Sequence, residues 1–459
     1  MALGRRASER QSELWVPTAE LPRTPGHPFY EKLNGLLAGA GFDRFVEQLC
    51  APFYAQAGRP GIPPGVYFRM LFVGYFEALD SQRGIAWRCA DSLALKTFLG
   101  YSLTESTPEH SSLTYIRKRL PEVVHEQVFA FVLKIANDKQ LLKGRTAGID
   151  ATLLEANAAM KSIVRKDTGD DWKNWLRKLA QEAGIENPSD DDLKKFDRGR
   201  KDKKVSNEQW ESKSDPDARI MKMKDGRTHL AYKAEHAVDL ESGLLLAATI
   251  YAGDAADGDT LQDTLIAAQT NLIQAGSAAA IRDVPADKGY HKNETLAQCE
   301  AWGLRTYIAE KQERHQRVWT DKPPEQQAAF RANRRRVRGR RGRALQRRRS
   351  EYCERSFAHS CETGAGRRSW LRGLAKVYKR YVVHGAAFNL GVLMRELFGI
   401  GKPRTLQGGL AGLLAALADR TAWIAWLVNS LRMLRRIAGH LSRFDLHRAN
   451  VYRGRLVAA

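Results

Sequence analysis

The order of apolar segments between residues 145 and 311 constrains the fold more than any other feature of the sequence. A strand-like run, RTAGIDATLLEA, comes first, and the runs THLAYKAEHAVDL and GLLLAATIYA follow as a pair joined by Glu241-Ser242-Gly243. A helix, a strand, a second helix and a last strand are then predicted in GDTLQDTLIAAQTNLIQAG, AAAIRDVPADKGYH, ETLAQCEAWG and LRTYIAEK. This β-ββ-α-β-α-β order predicts a mixed α/β sheet.

A charged insert at about residues 160–227 interrupts this order after the first strand. Within it, Trp172, Trp175 and Leu176 recur at helical spacing and predict one amphipathic helix. We expect its tryptophans to pack on the helix face rather than to stack on bases. The rest of the insert is rich in Lys, Asp and Ser, which predicts a long surface loop.

The segments on either side of the sheet are predicted to be helical. In residues 1–145, Pro64 lies in the first turn of one predicted helix and Pro121 begins another, a position that suits a residue without a backbone N–H. Helical patterns return after residue 350 and continue into an arginine-rich tail. We therefore expect a helical domain at 1–145, an α/β domain at 146–400 and a helical tail at 401–459.

The charge of the chain indicates a polyanionic partner. Lys and Arg number 74 against 52 Asp and Glu, so the net charge is +22 and the pI is near 9.8. Residues 331–349 hold eleven arginines and no acid. We interpret this run as a surface for phosphate contact, and the alternative is a solvated, disordered arm.

Cysteine use and hydropathy indicate the compartment. Five cysteines without a C-x-x-C pair exclude a disulfide scaffold and a zinc ribbon, and they fit a reducing cytoplasm. The most apolar stretch, residues 408–428, is split by Asp419 and Arg420. A bilayer needs roughly 20 uninterrupted apolar residues, so we expect no membrane span.

Three acidic residues are candidates for a functional site because of their positions in the predicted strands and helices. Asp150 lies inside an apolar strand, where burial of a charge is unfavourable without a cation or hydrogen bonds. Asp287 closes a strand and enters a loop, and Glu354 follows the arginine run on a predicted helix. Each acid taken alone also fits a structural role. Together, three carboxylates suit two hard divalent cations that catalyse phosphodiester displacement beside a cationic surface.

Several stretches carry a family resemblance that covers roughly residues 20–405. They are GYFEALDSQRGIAWRCADSLALKTFLGYSLTESTPEHSSLTYIRKRLP, GIDATLLEANAAMKSIVRKDTG, MKDGRTHLAYKAEHAVDLESG, PADKGYHKNETL and CERSFAHSCETGAGRRSWLRGLAKVYKR with GAAFNLGVLMR. In this order they resemble bacterial insertion-sequence transposases of the DDE type, in the IS5-like or IS1182-like group. The resemblance implies an α/β, RNase H-like mixed-sheet catalytic domain with a helical N-terminal domain and a helical, arginine-rich C-terminal region.

The resemblance also implies a reaction and its residues. Asp150, Asp287 and Glu354 match the family's catalytic carboxylates and would bind two Mg²⁺ ions, for which Mn²⁺ is able to substitute. The partner would be double-stranded DNA, cleaved at the terminal inverted repeats and joined to target DNA, by a homodimer or larger assembly in the bacterial cytoplasm. The alternatives are an RNase H-like nuclease without strand transfer and a catalytically inactive DNA-binding derivative.

The third carboxylate has two rivals, Glu351 and Glu362. Some related transposases have the signature Tyr-x2-Arg-x3-Glu-x6-Lys around the glutamate, and this chain lacks it. The corresponding positions are Arg347, Ser350, Glu354 and Cys361.

Basic residues near the motifs are candidates for DNA contact. Three adjacent ones end a predicted helix of the N-terminal region and could anchor a phosphate. Others follow the second aspartate, belong to the arginine run or flank Glu354, although solvated surface polarity is the alternative for each. The candidates are Arg117, Lys118, Arg119, Lys288, His291, Arg334, Arg335, Arg336, Arg355 and His359.

Overall fold

The structure is a computed structural model that describes residues 27–406, apart from residues 56, 59–60, 202–204, 312–318 and 321. The apolar stretch at 408–428 and nearly all of the predicted tail at 401–459 lie outside the described residues. Within the described part of the chain, every helix is too short or too polar to cross a membrane.

The N-terminal region is helical, as the sequence predicts. Pro63 is the N-cap of the third helix, and Pro64 occupies its first turn. Every residue of that helix after Pro64 is buried, so it forms the centre of the helical layer. The helices are α1 (Pro28–Gly39), α2 (Phe42–Cys50), α3 (Pro64–Phe76), α4 (Gln82–Ala90), α5 (Leu93–Leu99), α6 (His110–Arg119) and α7 (Glu122–Asp138).

The strands form one large sheet and one small one. They are β1 (Ala147–Glu155), β2 (Ile163–Arg165), β3 (Trp210–Ser212), β4 (Arg219–Lys222), β5 (Thr228–Asp239), β6 (Leu245–Ala252), β7 (Asp283–Ala286) and β8 (Arg305–Ile308). In the large sheet, β5 pairs with β6 and β4 along one edge and with β1 along the other, and β7 and β8 follow. The β1–β7 and β7–β8 pairs are parallel, whereas β5 is antiparallel to its neighbours. This topology agrees with the predicted RNase H-like mixed sheet.

The charged insert contains more regular structure than the sequence predicts. The expected helix is α8 (Trp172–Glu182), and its tryptophan rings pack against each other and against Trp210, with centroids 5.1–5.3 Å apart. The predicted loop is wrong between residues 190 and 199, because a second helix, α9 (Asp190–Gly199), begins there with a capping box between Ser189 and Asp192. The strands β2 and β3 pair in the small sheet.

Helices cover both faces of the large sheet. They are α10 (Asp257–Gln274), α11 (Asn293–Ala301), α12 (Pro324–Arg338), α13 (Arg340–Glu362) and α14 (Leu374–Phe398). On β5, Glu235 contacts Thr260 of α10, whereas the next residue, His236, contacts Ser356 of α13. Successive strand residues point to opposite faces, so these contacts assign α10 and α13 to opposite sides of the sheet.

Helix α14 joins the sheet to the N-terminal helices. It packs against β6 and also against α3 and α7, and one hydrophobic core cluster extends from α1 to α14. The expected boundary at residue 145 falls just before β1, but the core is continuous across it. The division into domains at 145 therefore stays a prediction.

Candidate active site

The strand register brings Asp150 and Asp287 together. On the parallel pair of β1 and β7, Ile149 lies opposite Ala286. Asp150 is the next residue of β1, and Asp287 is the first residue after β7. The two carboxylates, far apart in the sequence, therefore lie side by side in the centre of the sheet, where β7 ends beside β1.

Helix α13 crosses the sheet over these carboxylates. The side-chain amide of Gln346 donates hydrogen bonds to the carbonyl oxygens of Ala286 and Tyr307, which ties the helix to β7 and β8. Further along, Arg349 contacts β1 and Ser356 contacts β5. Arg349 lies directly over Gly148 of β1, since a Cβ at Gly148 would be 3.4 Å from the Arg349 side chain, while the space beside it is filled by Leu240 at 2.7 Å.

One guanidinium reaches both carboxylates. Arg349 Nη1 lies 2.9 Å from Asp150 Oδ2, and Arg349 Nη2 lies 3.9 Å from Asp287 Oδ1. The Arg349 residue is only 8% exposed, so this arginine belongs to the buried face of α13. The position of the guanidinium shows that a single cation is able to contact both aspartates.

Asp150 is held in a partly desolvated environment. Burial raises the pKa of the Asp150 carboxyl, and the charge of Asp287 raises it further. Arg349 and the backbone N–H of Ala151, which donates a hydrogen bond of 2.9 Å to Asp150 Oδ1, oppose this rise. An added hard cation would likewise favour the charged form. The two-carboxylate donor set therefore fits a divalent metal ion.

Glu354 is on the same helix but is not gathered with the two aspartates. It lies between Cys353, whose thiol pKa is raised by burial and by Asp150, and Ser356, which contacts β5. Its side chain is exposed and makes no hydrogen bond or ion pair within the described residues. Across the described part of the chain, no three His, Cys, Asp or Glu side chains form a ready metal site.

The rival glutamates are also exposed. Glu351 forms an ion pair of 2.6 Å with Arg355 one helical turn away, and Glu362 is the last residue of α13. Glu351 is the nearest of the three in sequence to Arg349, the α13 residue that contacts Asp150, and Glu354 directly follows Cys353, whose thiol pKa Asp150 raises. The role of Glu354 as third ligand stays a prediction.

The arginine run folds into α12 and the first half of α13, so the alternative of a disordered arm is wrong. Nine of its eleven arginines are exposed, Arg336 is half-buried and Arg349 is buried. Arg341 and Arg348 line, with Lys143, a cleft of about 520 Å³ between α13 and the end of β5. The exposed arginines form a basic surface that runs along α13 towards the carboxylates.

The individual arginines of α12 differ in what they contact. Arg334 pairs with Glu310 at 3.0 Å, and no hydrogen bond or ion pair engages the exposed Arg335 among the described residues. Arg336 donates to the carbonyl oxygen of Thr306 at 3.0 Å, and burial lowers its pKa. Because Arg336 is committed to contacts within the protein, the structure disfavours it as a DNA contact.

The candidates that flank the acids are also divided. Lys288 is exposed immediately after Asp287. His291, by contrast, is 7% exposed with its ring 5.6 Å from that of Phe330, so the expectation that it touches a phosphate is not supported. Arg355 is exposed, and His359 is half-buried with a pKa lowered by burial.

In the N-terminal region, the three adjacent candidates are not equivalent. Lys118 and Arg119 are exposed at the end of α6, and the Arg119 guanidinium lies 4.7 Å from the Tyr54 ring. Arg117 is half-buried beside Asp80 and Arg380, and burial lowers its pKa. Phosphate contact is therefore more accessible to Lys118 and Arg119 than to Arg117.

Two groups of residues near the site are not identified by sequence reasoning. One is Arg349, which the spacing of the buried residues Leu345, Arg349 and Cys353 could have distinguished from the other arginines. The second is a buried cluster on the opposite face of β5. There Glu235 Oε2 accepts hydrogen bonds from Thr260 Oγ1 at 2.7 Å and from Tyr290 Oη at 2.9 Å. No sequence motif indicates that cluster.

Comparison with known families gives two matches. A family model described as the transposase DDE domain matches residues 149–390, more than half of the chain, and includes Asp150, Asp287 and Glu354. A second model, described as a transposase domain (DUF772), matches residues 20–119 of the helical region. No curated protein and no solved structure shows significant similarity to the chain.

Proposed function

The chain belongs to the DDE transposase family, and from this premise we propose that it cleaves DNA at the ends of an insertion sequence and joins those ends to target DNA. The observation that carries the proposal is the pair Asp150 and Asp287. They lie side by side in the centre of an RNase H-like sheet, where β7 ends beside β1, with one cation in contact with both. DDE transposases generally use divalent metal ions, and this pair provides the oxygen ligands that such ions prefer.

We assign Asp150 and Asp287 as ligands of the metal, and Glu354 as the third carboxylate. Bound divalent cations, Mg²⁺ or Mn²⁺, would activate the attacking oxygen and stabilise the leaving oxygen of a phosphodiester. The carboxylates hold cations and form no covalent bond to DNA. Glu354 is exposed on the helix that carries Arg349, the partner of Asp150. It lies five residues from Arg349 and therefore about 140° around the helix axis. Its role as third ligand thus requires α13 to rotate or move when metal or DNA binds.

Two displacements follow from these roles. In the first, water attacks a phosphodiester at the end of the element and frees a 3′-hydroxyl. In the second, that hydroxyl attacks target DNA, and a new phosphodiester replaces the one that is broken. Asp150 and Asp287 serve both steps from the same position, because the attacking group in each is an oxygen next to a phosphate.

The DNA would lie along the basic surface of α12 and α13. The exposed Arg335 and the cleft lined by Lys143, Arg341 and Arg348 support this placement, and Lys288 would contact the backbone beside Asp287. In the helical region, Lys118 and Arg119 would bind a second stretch of duplex. We further propose that two or more copies assemble on DNA, since two element ends have to be joined.

The test uses the full chain and a linear DNA fragment that carries the sequences flanking the coding region, with Mg²⁺. Cleaved and joined products are resolved on a gel. We expect Asp150→Asn and Asp287→Asn to lower both products by at least about a hundredfold without loss of DNA binding. Glu354→Gln should do the same, while Glu351→Gln and Glu362→Gln stay near wild type.

The alternatives predict different products. Cleavage without joining would indicate a nuclease that lacks strand transfer. DNA binding without any cleavage by the wild-type chain would indicate an inactive derivative. Full cleavage by Asp150→Asn would contradict the ligand assignment directly.

A further inference from the structure

Arg349 is anchored in a way that no other residue of the arginine run shows. Its side chain lies against β1 beside Gly148, its Nε is 3.2 Å from Gln346 Oε1, and one Nη also lies 3.3 Å from Ser350 Oγ. Gln346 is itself fixed to the backbone of β7 and β8. In the chain without metal, these contacts direct the guanidinium to the two carboxylates.

That place is where the chemistry of the site requires a cation. Two carboxylates side by side repel each other unless a positive charge lies between them. In the chain alone, Arg349 supplies that charge, with contacts of 2.9 Å to Asp150 and 3.9 Å to Asp287. A divalent ion bound to the same two oxygens would lie within a few ångströms of the guanidinium, and the two cations would repel each other.

We propose that Arg349 is an internal counter-ion that occupies the metal position in the resting protein and is displaced when metal binds. This inference rests on the proposed function, because it takes Asp150 and Asp287 as the metal ligands. It follows that Arg349 lowers the metal affinity of the chain on its own. Displacement leaves a guanidinium beside the site with free donors, in reach of a phosphate oxygen of bound DNA.

Metal binding is the direct measurement, with Mn²⁺ as the probe and the full chain without DNA. Titration is followed by calorimetry or by the electron paramagnetic resonance signal of free Mn²⁺. We expect Arg349→Gln to bind Mn²⁺ about tenfold more tightly than wild type, because a positive charge next to both ligands is removed. Arg349→Lys keeps the charge and should stay within about threefold of wild type.

The matched control is Arg347→Gln, which removes the same charge from an exposed position two residues away on α13. It should change the affinity by less than about twofold, since solvent screens exposed charges. Equal gains for Arg347→Gln and Arg349→Gln would mean that only net charge matters, which would overturn the proposal. Weaker or unchanged binding by Arg349→Gln would also overturn it.

Asp150→Asn separates this inference from the proposed function. If Asp150→Asn loses Mn²⁺ while Arg349→Gln binds like wild type, the inference fails and the metal site stands. If Asp150→Asn binds Mn²⁺ like wild type, the site itself is wrong, and the counter-ion role is overturned with it. The same holds if neither wild type nor Arg349→Gln binds the ion.

Thermal unfolding provides a second measurement that also monitors folding. Without metal, Arg349→Gln leaves two adjacent carboxylates uncompensated and should unfold at a lower temperature than wild type. Saturating Mn²⁺ should then raise its unfolding temperature more than that of wild type, because the ion replaces the missing charge. A variant that is equally destabilised with and without Mn²⁺ would show a packing role only, which would contradict the proposal.

Discussion

Asp150 and His236 lie directly opposite each other on the antiparallel pair of β1 and β5, so their side chains share the sheet face that α13 covers. The His236 ring stacks on Phe357 with centroids 4.1 Å apart. Its Nδ1 lies 2.9 Å from Ser356 Oγ, and its Nε2 lies 2.7 Å from the Tyr381 hydroxyl. This histidine therefore connects β5, the strand paired with that of Asp150, to α13, the helix that carries Glu354, and to α14.

The hydrogen-bond network fixes the tautomer of His236. Ser356 Oγ donates to the carbonyl oxygen of Cys353 at 2.8 Å, so it accepts from a protonated Nδ1. Nε2 then accepts from the Tyr381 hydroxyl. Burial lowers the pKa of His236 to about 3, which keeps the ring neutral at physiological pH. A neutral, fully bonded ring positions α13 without adding charge beside the carboxylates.

The first prediction concerns Tyr381→Phe. The change removes the donor to His236 Nε2 and leaves a buried acceptor unpaired, so the free energy of unfolding should fall by about 1–3 kcal/mol. Denaturant unfolding of the full chain at neutral pH measures it. Tyr115→Phe is the control, since Tyr115 is 66% exposed and should change stability by no more than about 0.5 kcal/mol. Equal stabilities of Tyr381→Phe and Tyr115→Phe would contradict the hydrogen bond from Tyr381 to His236.

The second prediction concerns the buried charges on the other face of β5. Lys233 Nζ lies 3.3 Å from Glu235 Oε2 and 2.8 Å from Asp257 Oδ1, and neither Lys233 nor Glu235 is more than 3% exposed. Lys233→Met leaves Glu235 buried without its cation, so we expect a loss of about 3–5 kcal/mol in unfolding free energy. The double variant Lys233→Met/Glu235→Gln should recover part of it, because the buried charge is then absent.

An exposed pair of the same type provides the control for this measurement. Lys292 and Asp259 are 2.7 Å apart at about half exposure, so Lys292→Met should lower the unfolding free energy much less than Lys233→Met does, because solvent screens the exposed pair. A similar loss of unfolding free energy for Lys233→Met and Lys292→Met would show that burial does not determine how much the Lys233–Glu235 ion pair contributes to stability.

The sheet and its helices were predictable because their apolar segments have the length and period of strands and helices. Helix α9 was not, because only Leu193 and Phe196 of its residues pack in the small core of the insert, too few to produce an apolar stripe. The signal that did exist was local, the Ser189 and Asp192 capping box. The charged composition of this segment predicts a loop, whereas the capping box and the small apolar core of the insert stabilise a helix.

The two aspartates could be predicted as candidate residues because Asp150 lies inside an apolar strand and Asp287 directly follows one. Arg349 was not predicted as a partner of the aspartates. The spacing of Leu345, Arg349 and Cys353 indicates that it lies on the buried face of α13, but its contact with the carboxylates depends on how α13 packs on β1. For His291, the sequence predicts a role that its position in the fold does not support. Its position after Asp287 predicted a surface role, but tertiary packing against Phe330 buries its ring.

The third prediction concerns DNA binding by α12. Arg335 is exposed and uncommitted within the described structure, whereas the adjacent Arg336 is bound to Thr306. Arg335→Gln should lower the slope of log affinity against log salt by about one, as expected for one lost phosphate contact. Arg336→Gln should leave that slope unchanged and lower stability instead. Binding isotherms at several salt concentrations measure the slope, and identical slopes for wild type and Arg335→Gln would exclude this contact.

The fourth prediction is a pH dependence of stability that originates in His125, far from the carboxylates. Its Nδ1 donates to the Pro121 carbonyl oxygen at 3.0 Å and its Nε2 accepts from the Tyr67 hydroxyl at 3.3 Å. Burial lowers the pKa of His125 to about 4, below the 6.5 of the unfolded chain, so between these values the unfolded state binds a proton that the folded state does not. Stability should therefore fall as the pH is lowered through this window, by about 1.4 kcal/mol per pH unit from this residue. The difference between the unfolding free energies at pH 6 and pH 5 should be smaller for His125→Gln than for wild type by about 1.4 kcal/mol, because all other groups titrate in both proteins. Equal pH slopes for the two proteins would show that His125 is protonated in the folded state.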